Sequence, residues 1–305
     1  MNKSIDNVEF EWVQRTVKNN FNNMKVDHIM KLGEGWMSRA YLINDQLVFR
    51  FPKEKQGAVD LEKEIKGLPI LKQHISLCIP EFIYHGEQMN GFPFVGYRIL
   101  SGVPMDEPQF HTLPSATRDR IAVQVAEFMD QMQSFDVFQA TTLDIPNHAF
   151  HDVYADLYEE VKKKAFPEMN TEIQTYLSSR FDTYLSNHEY VSYTAKLLHA
   201  DLSLDHLLYD PHKQALTGII DFGDMKIGDP DYEYLYLLEE CGETFTRKVM
   251  EIRGEKNMDK VLDKLAFFLT ADNVVLLLEG LQRKNQDLID EAIKILQNES
   301  QVSQK

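Results

Sequence analysis

The chain has 305 residues, 43 % of them hydrophobic and 26 % charged, which is ordinary soluble globular composition and more length than one core usually takes, so two lobes are expected. The formal net charge is −16, with residues 1–100 near balance and residues 101–305 holding the acidic excess, which disfavours nucleic acid and favours a cleft that attracts cations. No apolar run approaches the ~20 residues of a membrane span, the opening MNKSIDNVEFEW lacks a signal-peptide core, and Cys78 and Cys241 stand in no metal-ligand spacing; the expectation is a reduced cytoplasmic protein with no membrane and no obligatory protein partner.

Residues 8–20 read as a short amphipathic helix. Lys25 to Lys31 reads as a strand, Tyr41 to Ile43 as a second and Gln46 to Phe51 as a third, with a turn at Asn44-Asp45. Between the first two lies Leu32-Gly33-Glu34-Gly35-Trp36-Met37-Ser38-Arg39-Ala40, a turn of the kind whose backbone N–H groups can cover phosphates. Val59 to Leu71 reads as a helix limited by Pro69. Ile79 to Gly86 and Phe92 to Leu100 read as two more strands, and Ser101-Gly102-Val103-Pro104 breaks the pattern as a crossover would. Residues 1–100 thus form a small β-rich lobe and residues 101–305 a larger, mostly helical one. Helices are expected from Leu113 to Phe135, over two segments within 150–186, from Asp229 through Glu240, and over 243–253, 258–269, 272–283 and 286–297, with fraying from Asn298 to the end.

The chemistry concentrates between His199 and Asp224. His206 to Tyr209 and Leu216 to Ile220 read as the strands of a hairpin. Asp201 lies in the loop before it and Asp221-Phe222-Gly223 at its exit. Phosphoryl transfer to an alcohol requires a group that accepts the hydroxyl's proton and carboxylate oxygens for Mg²⁺. Protein kinases use this layout: a catalytic Asp, a metal ligand five residues on, then a metal-binding Asp in Asp-Phe-Gly. By that arrangement Asp201 is the base, while His206, where Asn is usual, and Asp221 are the metal ligands. His199 tethers the loop through hydrogen bonds. Arg50 is the cation for the α- and β-phosphates, with Lys53 as the alternative. Glu64 is its better helix partner than Glu62, since it adjoins Leu61, Leu68 and Leu71. Tyr97 stands at the back of the purine pocket, where its bulk favours guanine, and Ile99 at its hinge.

The segment HADLSLDHLLYD…LTGIIDFGDMKIGDPDYEYLYLLEE, with FRFPK, the Glu-Ile helix and FVGYR, resembles the aminoglycoside phosphotransferases, and within them the 2″-phosphotransferase group. The resemblance covers most of the chain. It implies an α+β, eukaryotic-protein-kinase-like fold of two lobes and Mg²⁺-dependent transfer from GTP or ATP to a hydroxyl of a cationic aminoglycoside. It adds Ser38 and Ile220 to the nucleotide-binding candidates. It makes Glu239 and Glu240, with Asp201, the acceptor-binding residues, and gives Asp229 the anchoring of the catalytic loop. Three departures stand out: Ala200 replaces the usual Gly, Arg50 the usual Lys, and Lys226 brings positive charge to a cleft for a polycation. The alternative reading is a kinase of the same fold acting on a macrolide, sugar or amino alcohol.

Overall fold

The computed structural model describes residues 6–302. Residues 1–5 of the stretch inspected for a signal peptide, and residues 303–305 of the tail expected to fray, lie outside the described residues. The chain divides into two units built from interleaved segments. The first takes the chain up to Gln124, Phe138–Ile145 and Ser203–Met225; the second takes Val125–Val137, Pro146–Leu202 and the chain from Lys226 onwards.

The first unit is organised on an antiparallel sheet of β1 (Ile29–Glu34), β2 (Ser38–Ile43), β3 (Leu47–Pro52), β4 (Phe82–Glu87) and β5 (Pro93–Arg98), in the order β1-β2-β3-β5-β4. Alternation along the strands gives the sheet two dissimilar faces. Tyr41, Ile43, Phe49, Phe51 and Phe94 form a core with Val13 and Val17 of helix α1 (Asn7–Asn20). Leu42, Val48 and Tyr97 form a second cluster, and on β3 Arg50 shares the parity of Val48. Helix α2 (Lys55–Leu71) packs against β3 and β5 and brings Glu64 to Arg50.

Two boundaries differ from expectation. The strand expected from Lys25 begins at Ile29, because the Asn44 amide takes the preceding backbone. Its oxygen accepts from the N–H groups of Asp27 and His28, and its nitrogen donates to the Lys25 carbonyl. With those groups satisfied, residues 25–28 need no ladder. Helix α2 starts at Lys55 rather than Val59. Gly57 is the point where the helix approaches Met37: a Cβ there would lie 2.6 Å from the Met37 carbonyl oxygen. Pro69 falls in the last turn, and the helix ends two residues later at Leu71. The unit also holds α3 (Glu107–Thr112), the start of α4 (Ser115–Ser134), α5 (Val137–Thr142) and the hairpin β7 (Leu207–Asp210) and β8 (Ala215–Ile219).

The second unit is mostly helical: α6 (Phe150–Lys164), α7 (Thr171–Ser186), α8 (His188–Val191), α9 (Leu235–Cys241), α10 (Glu243–Ile252), α11 (Met258–Arg283) and α12 (Gln286–Val302). Its centre is an aromatic cluster in which Tyr184 stacks on Phe267 at 4.0 Å and Tyr154 meets both Phe267 and Phe268. A two-stranded pairing of β6 (Lys196–Leu198) with β9 (Lys226–Gly228) leads directly into His199. Among the described residues no helix is long and apolar enough to cross a membrane.

Candidate active site

In the first unit the sheet face opposite α1 carries a compact charge cluster. Arg50 is the central group: Nη1 donates to Glu64 Oε2 at 2.8 Å and Nη2 to Asp221 Oδ1 at 2.7 Å. One planar guanidinium spans two carboxylates, a geometry that the single ammonium of lysine does not reproduce. Glu64 is 1 % exposed. Burial pushes its carboxyl up to about 7, although Arg50 pulls in the other direction.

Asp221 follows β8 and adopts a left-handed backbone, φ 63°, which is costly for a residue with a Cβ and clusters at functional sites. Its Oδ2 faces His206 Nε2 at 3.7 Å. His206 ends the 3₁₀ turn Leu204–His206 rather than opening the strand, so that its carbonyl accepts from the Ile220 N–H and holds it beside Asp221. Ser203 Oγ donates to Asp205 Oδ1 at 2.7 Å and lies 3.0 Å from His206 Nδ1. A hydroxyl has one proton, and an ionised Asp205 can only accept it, so Nδ1 is the donor towards Ser203. Nε2 is then the ring nitrogen turned to the Asp221 side, and it is the one that offers a lone pair to a cation when the ring is neutral.

This pair fits a divalent cation shared with phosphate oxygens. Among the described residues no three His, Cys, Asp or Glu side chains gather as an all-protein cage, and Mg²⁺ characteristically takes one or two carboxylates, waters and substrate phosphates. Imidazole is its less natural ligand here.

The remaining nucleotide candidates fall on the same unit. Ser38 opens β2, and its carbonyl accepts from the Gly35 N–H at 3.0 Å, closing the glycine turn. Lys53 is drawn to that turn, with Nζ 2.9 Å from Glu34 and 3.1 Å from the Gly35 carbonyl, whereas Arg50 is the cation placed at Asp221. Tyr97 is buried on β5 beside Phe82 and pairs with Val48. Ile99 is 45 % exposed just beyond β5, with its N–H given to the Gln46 carbonyl. Ile220 is half-buried between β8 and Asp221.

The loop with Asp201 belongs to the second unit. His199 is fully buried, edge-on to Phe128, and its Nδ1 accepts from the Asp201 N–H at 3.3 Å. Ala200 has φ 66°, the conformation that makes glycine usual there. Asp201 is half-buried.

The resemblance assigned the anchoring of this loop to Asp229, and the structure corrects that. Asp229 instead accepts from the Asp231 N–H and pairs with buried Lys264 at 2.8 Å. Glu233 is the anchor: it is 2 % exposed and accepts from the His199 N–H, with the Ala200 amide also bonding to it. Burial pushes the Glu233 carboxyl up to about 7. The run Asp-Pro-Asp-Tyr-Glu holds three acids in five residues, and no sequence pattern says which of them turns inward; only the 3₁₀ turn Pro230–Tyr234 does.

Glu239 is exposed and Glu240 half-buried, both on α9. Lys226 lies over the Tyr232 ring at 5.1 Å. Its charge is answered by Asp272, which accepts from the Tyr232 and Tyr236 hydroxyls and whose carboxyl burial pushes up to about 7. The positive charge that looked misplaced therefore has an internal partner.

Residues 28–267 match the phosphotransferase enzyme family. A solved GDP and kanamycin complex of APH(2″)-IIIa is 41 % identical, covers 95 % of this chain and 98 % of its own, and superposes with a TM-score of 0.92. A gentamicin–APH(2″)-IIa complex is 22 % identical over 96 % of this chain and 96 % of its own, TM-score 0.78. A macrolide 2′-phosphotransferase type I is 16 % identical over 96 % of this chain and 98 % of its own, TM-score 0.73. The last two show likeness of fold.

Proposed function

Because this chain belongs to the phosphotransferase enzyme family, in its aminoglycoside 2″-phosphotransferase group, we propose that it moves the γ-phosphoryl group of GTP or ATP to a hydroxyl, the 2″ one, of an aminoglycoside, and so confers antibiotic resistance. The fold is the kinase-like fold of that family, with an antiparallel N-terminal sheet and a mostly helical remainder. The observation that carries the substrate reading is the near full-length match at 41 % identity to a protein holding GDP and kanamycin. The acidic excess beyond residue 100 supports it, since an aminoglycoside is a polycation. The division of labour at residue 100 into a nucleotide lobe and a catalytic, acceptor-binding lobe is part of the same proposal.

In this reading Asp201 accepts the proton, or the hydrogen bond, of the attacking hydroxyl. Glu233 holds the His199 and Ala200 amides and so fixes the backbone from which Asp201 projects. Arg50 approaches the α- and β-phosphates while Glu64 orients it. Gly33 to Ser38 covers the phosphates, Tyr97 backs the purine with Ile99 and Ile220 beside it, and Glu239 and Glu240 receive ammonium groups. His206 and Asp221 would hold Mg²⁺, which neutralises charge developing on the β- and γ-phosphates.

A coupled phosphotransfer assay tests this. Kanamycin and gentamicin, with a macrolide and simple sugars, are offered with GTP and with ATP. Turnover is expected with aminoglycosides, and none with any of them would sink the substrate claim. Asp201→Asn should lower kcat by about 10²–10⁴-fold, as loss of a positioned base does; wild-type turnover in that variant would remove Asp201 from the role.

A further inference from the structure

The face of the sheet that packs on α1 holds a second concentration of charge, which the phosphotransfer reading does not use. Glu9 pairs with Lys31 at 2.8 Å and accepts from the Tyr41 hydroxyl. Glu34, inside the glycine turn, is shared by Lys31 at 2.7 Å, Arg39 at 3.1 Å and Lys53 at 2.9 Å. Three cations thus meet two carboxylates, and this group is short of one negative charge. The three cations hold the Glu34 carboxyl well below the ordinary carboxylate range.

Two of these cations, Arg39 and Lys53, line a cavity of about 260 Å³ together with Trp12, Phe51, Gln88 and Met89. Its aromatic wall is built: Trp12 and Phe51 meet edge to face at 5.1 Å, and Gln88, 7 % exposed, is fixed by donating to the Pro52 carbonyl. Arg39 pairs across the sheet with Phe51, whose neighbour Arg50 points to the other face. The cavity therefore lies behind the phosphate-covering turn, on the side away from Arg50.

We propose that this cavity is a second ligand site, one that takes a small planar anion of the aromatic-carboxylate class. The carboxylate is held by Arg39 and Lys53 in competition with Glu34, and the ring lies against Trp12. The volume is at or below the lower end of small-molecule sites and suits a single ring. Two donors of fixed charge select an anion, and the indole and thioether favour a flat, polarisable body. Because Lys53 also reaches the Gly35 carbonyl, the ligand draws on the same contacts that tether the glycine turn.

The test uses the full chain and ¹⁹F NMR of 4-(trifluoromethyl)benzoate, with its neutral isostere 4-(trifluoromethyl)benzamide as the paired probe. Saturable one-to-one binding of the benzoate is expected, with the benzamide and the variants Arg39→Gln and Lys53→Gln each weaker by about tenfold, the worth of one charge-assisted hydrogen bond. Glu34→Gln should bind tighter than wild type, since it removes the internal competitor. In Trp36→Phe, which leaves Trp12 as the single tryptophan of the chain's two, indole emission should change with the same saturation curve. Equal binding of the benzamide, unchanged affinity in Arg39→Gln, no response from Trp12, full displacement by GDP, or no saturable binding would each overturn the assignment.

Discussion

Glu233 illustrates how much of this site is set by residues that never meet a substrate. Its carboxylate receives two consecutive backbone amides from the loop that carries Asp201. Glu233→Gln keeps the shape but offers one acceptor oxygen and a nitrogen that can only donate, so one buried amide loses its partner. The expected result is a loss of about 1–3 kcal/mol in unfolding free energy, together with a fall in kcat that exceeds any change in KM for the nucleotide. A purely structural part would lower the melting temperature and leave kcat per folded molecule intact, so comparing steady-state kinetics with calorimetry separates the two. Arg50, Glu64, His206 and Asp221 were expected from the kinase-like layout, with Lys53 and Glu62 kept as alternatives, and the structure brings Arg50 to Glu64 and Asp221 and sets His206 beside Asp221. Glu233 was not, since which acid of Asp-Pro-Asp-Tyr-Glu turns inward depends on the geometry of the 3₁₀ turn Pro230–Tyr234.

The strands of the first unit announced themselves through alternation of Tyr41, Ile43, Phe49 and Phe51 with residues of the other face. Helix ends were less visible. Helix α11 runs unbroken from Met258 to Arg283, where two helices were expected, and within it Asp272 accepts from the Tyr232 and Tyr236 hydroxyls. Helix α12 continues to Val302 because Glu299 is fastened by Tyr176, Thr270 and Asn273. Helix α3 was signalled and missed: Asp106 and Gln109 form a capping box around Pro108. The start of α2 yields a test. Gly57→Ala would push a methyl group to within 2.6 Å of the Met37 carbonyl oxygen, so either the helix or the end of the glycine turn must shift. Destabilisation of about 1–3 kcal/mol is expected, with nucleotide affinity falling as well; denaturant melts and a GDP titration would register both. An alanine variant with unchanged stability would mean that α2 is not seated on Met37.

The charge pattern has a consequence for how the protein responds to pH. Burial raises the carboxyls of Glu233 and Asp272 to about 7 and that of Asp229 to about 6, against 4.5 for an ordinary Glu and 3.8 for an ordinary Asp. In the folded state these groups keep protons that the unfolded chain has already released, so stability falls as pH rises from about 4.5 through about 7. Glu9 and Glu34 act in the opposite sense: their carboxyls are lowered, and their contribution is lost only as pH falls below the unfolded value. The net charge of −16 adds self-repulsion at high pH. The urea midpoint should therefore be higher at pH 5.5 than at pH 8; a midpoint that rises steadily to pH 8 would show that these carboxyls are ionised at no cost in the fold.

The interleaving of the two units also sets an order of events during synthesis. The sheet, α1 and α2 leave the ribosome first, yet the unit they belong to is completed only by Ser203–Met225. Arg50 thus has Glu64 within reach early in translation and meets Asp221 only after most of the chain has emerged. Closure of that contact is a late, long-range step of the slow kind. A chain cut short before Ser203 would retain the sheet and still lack the carboxylate that shares its central cation.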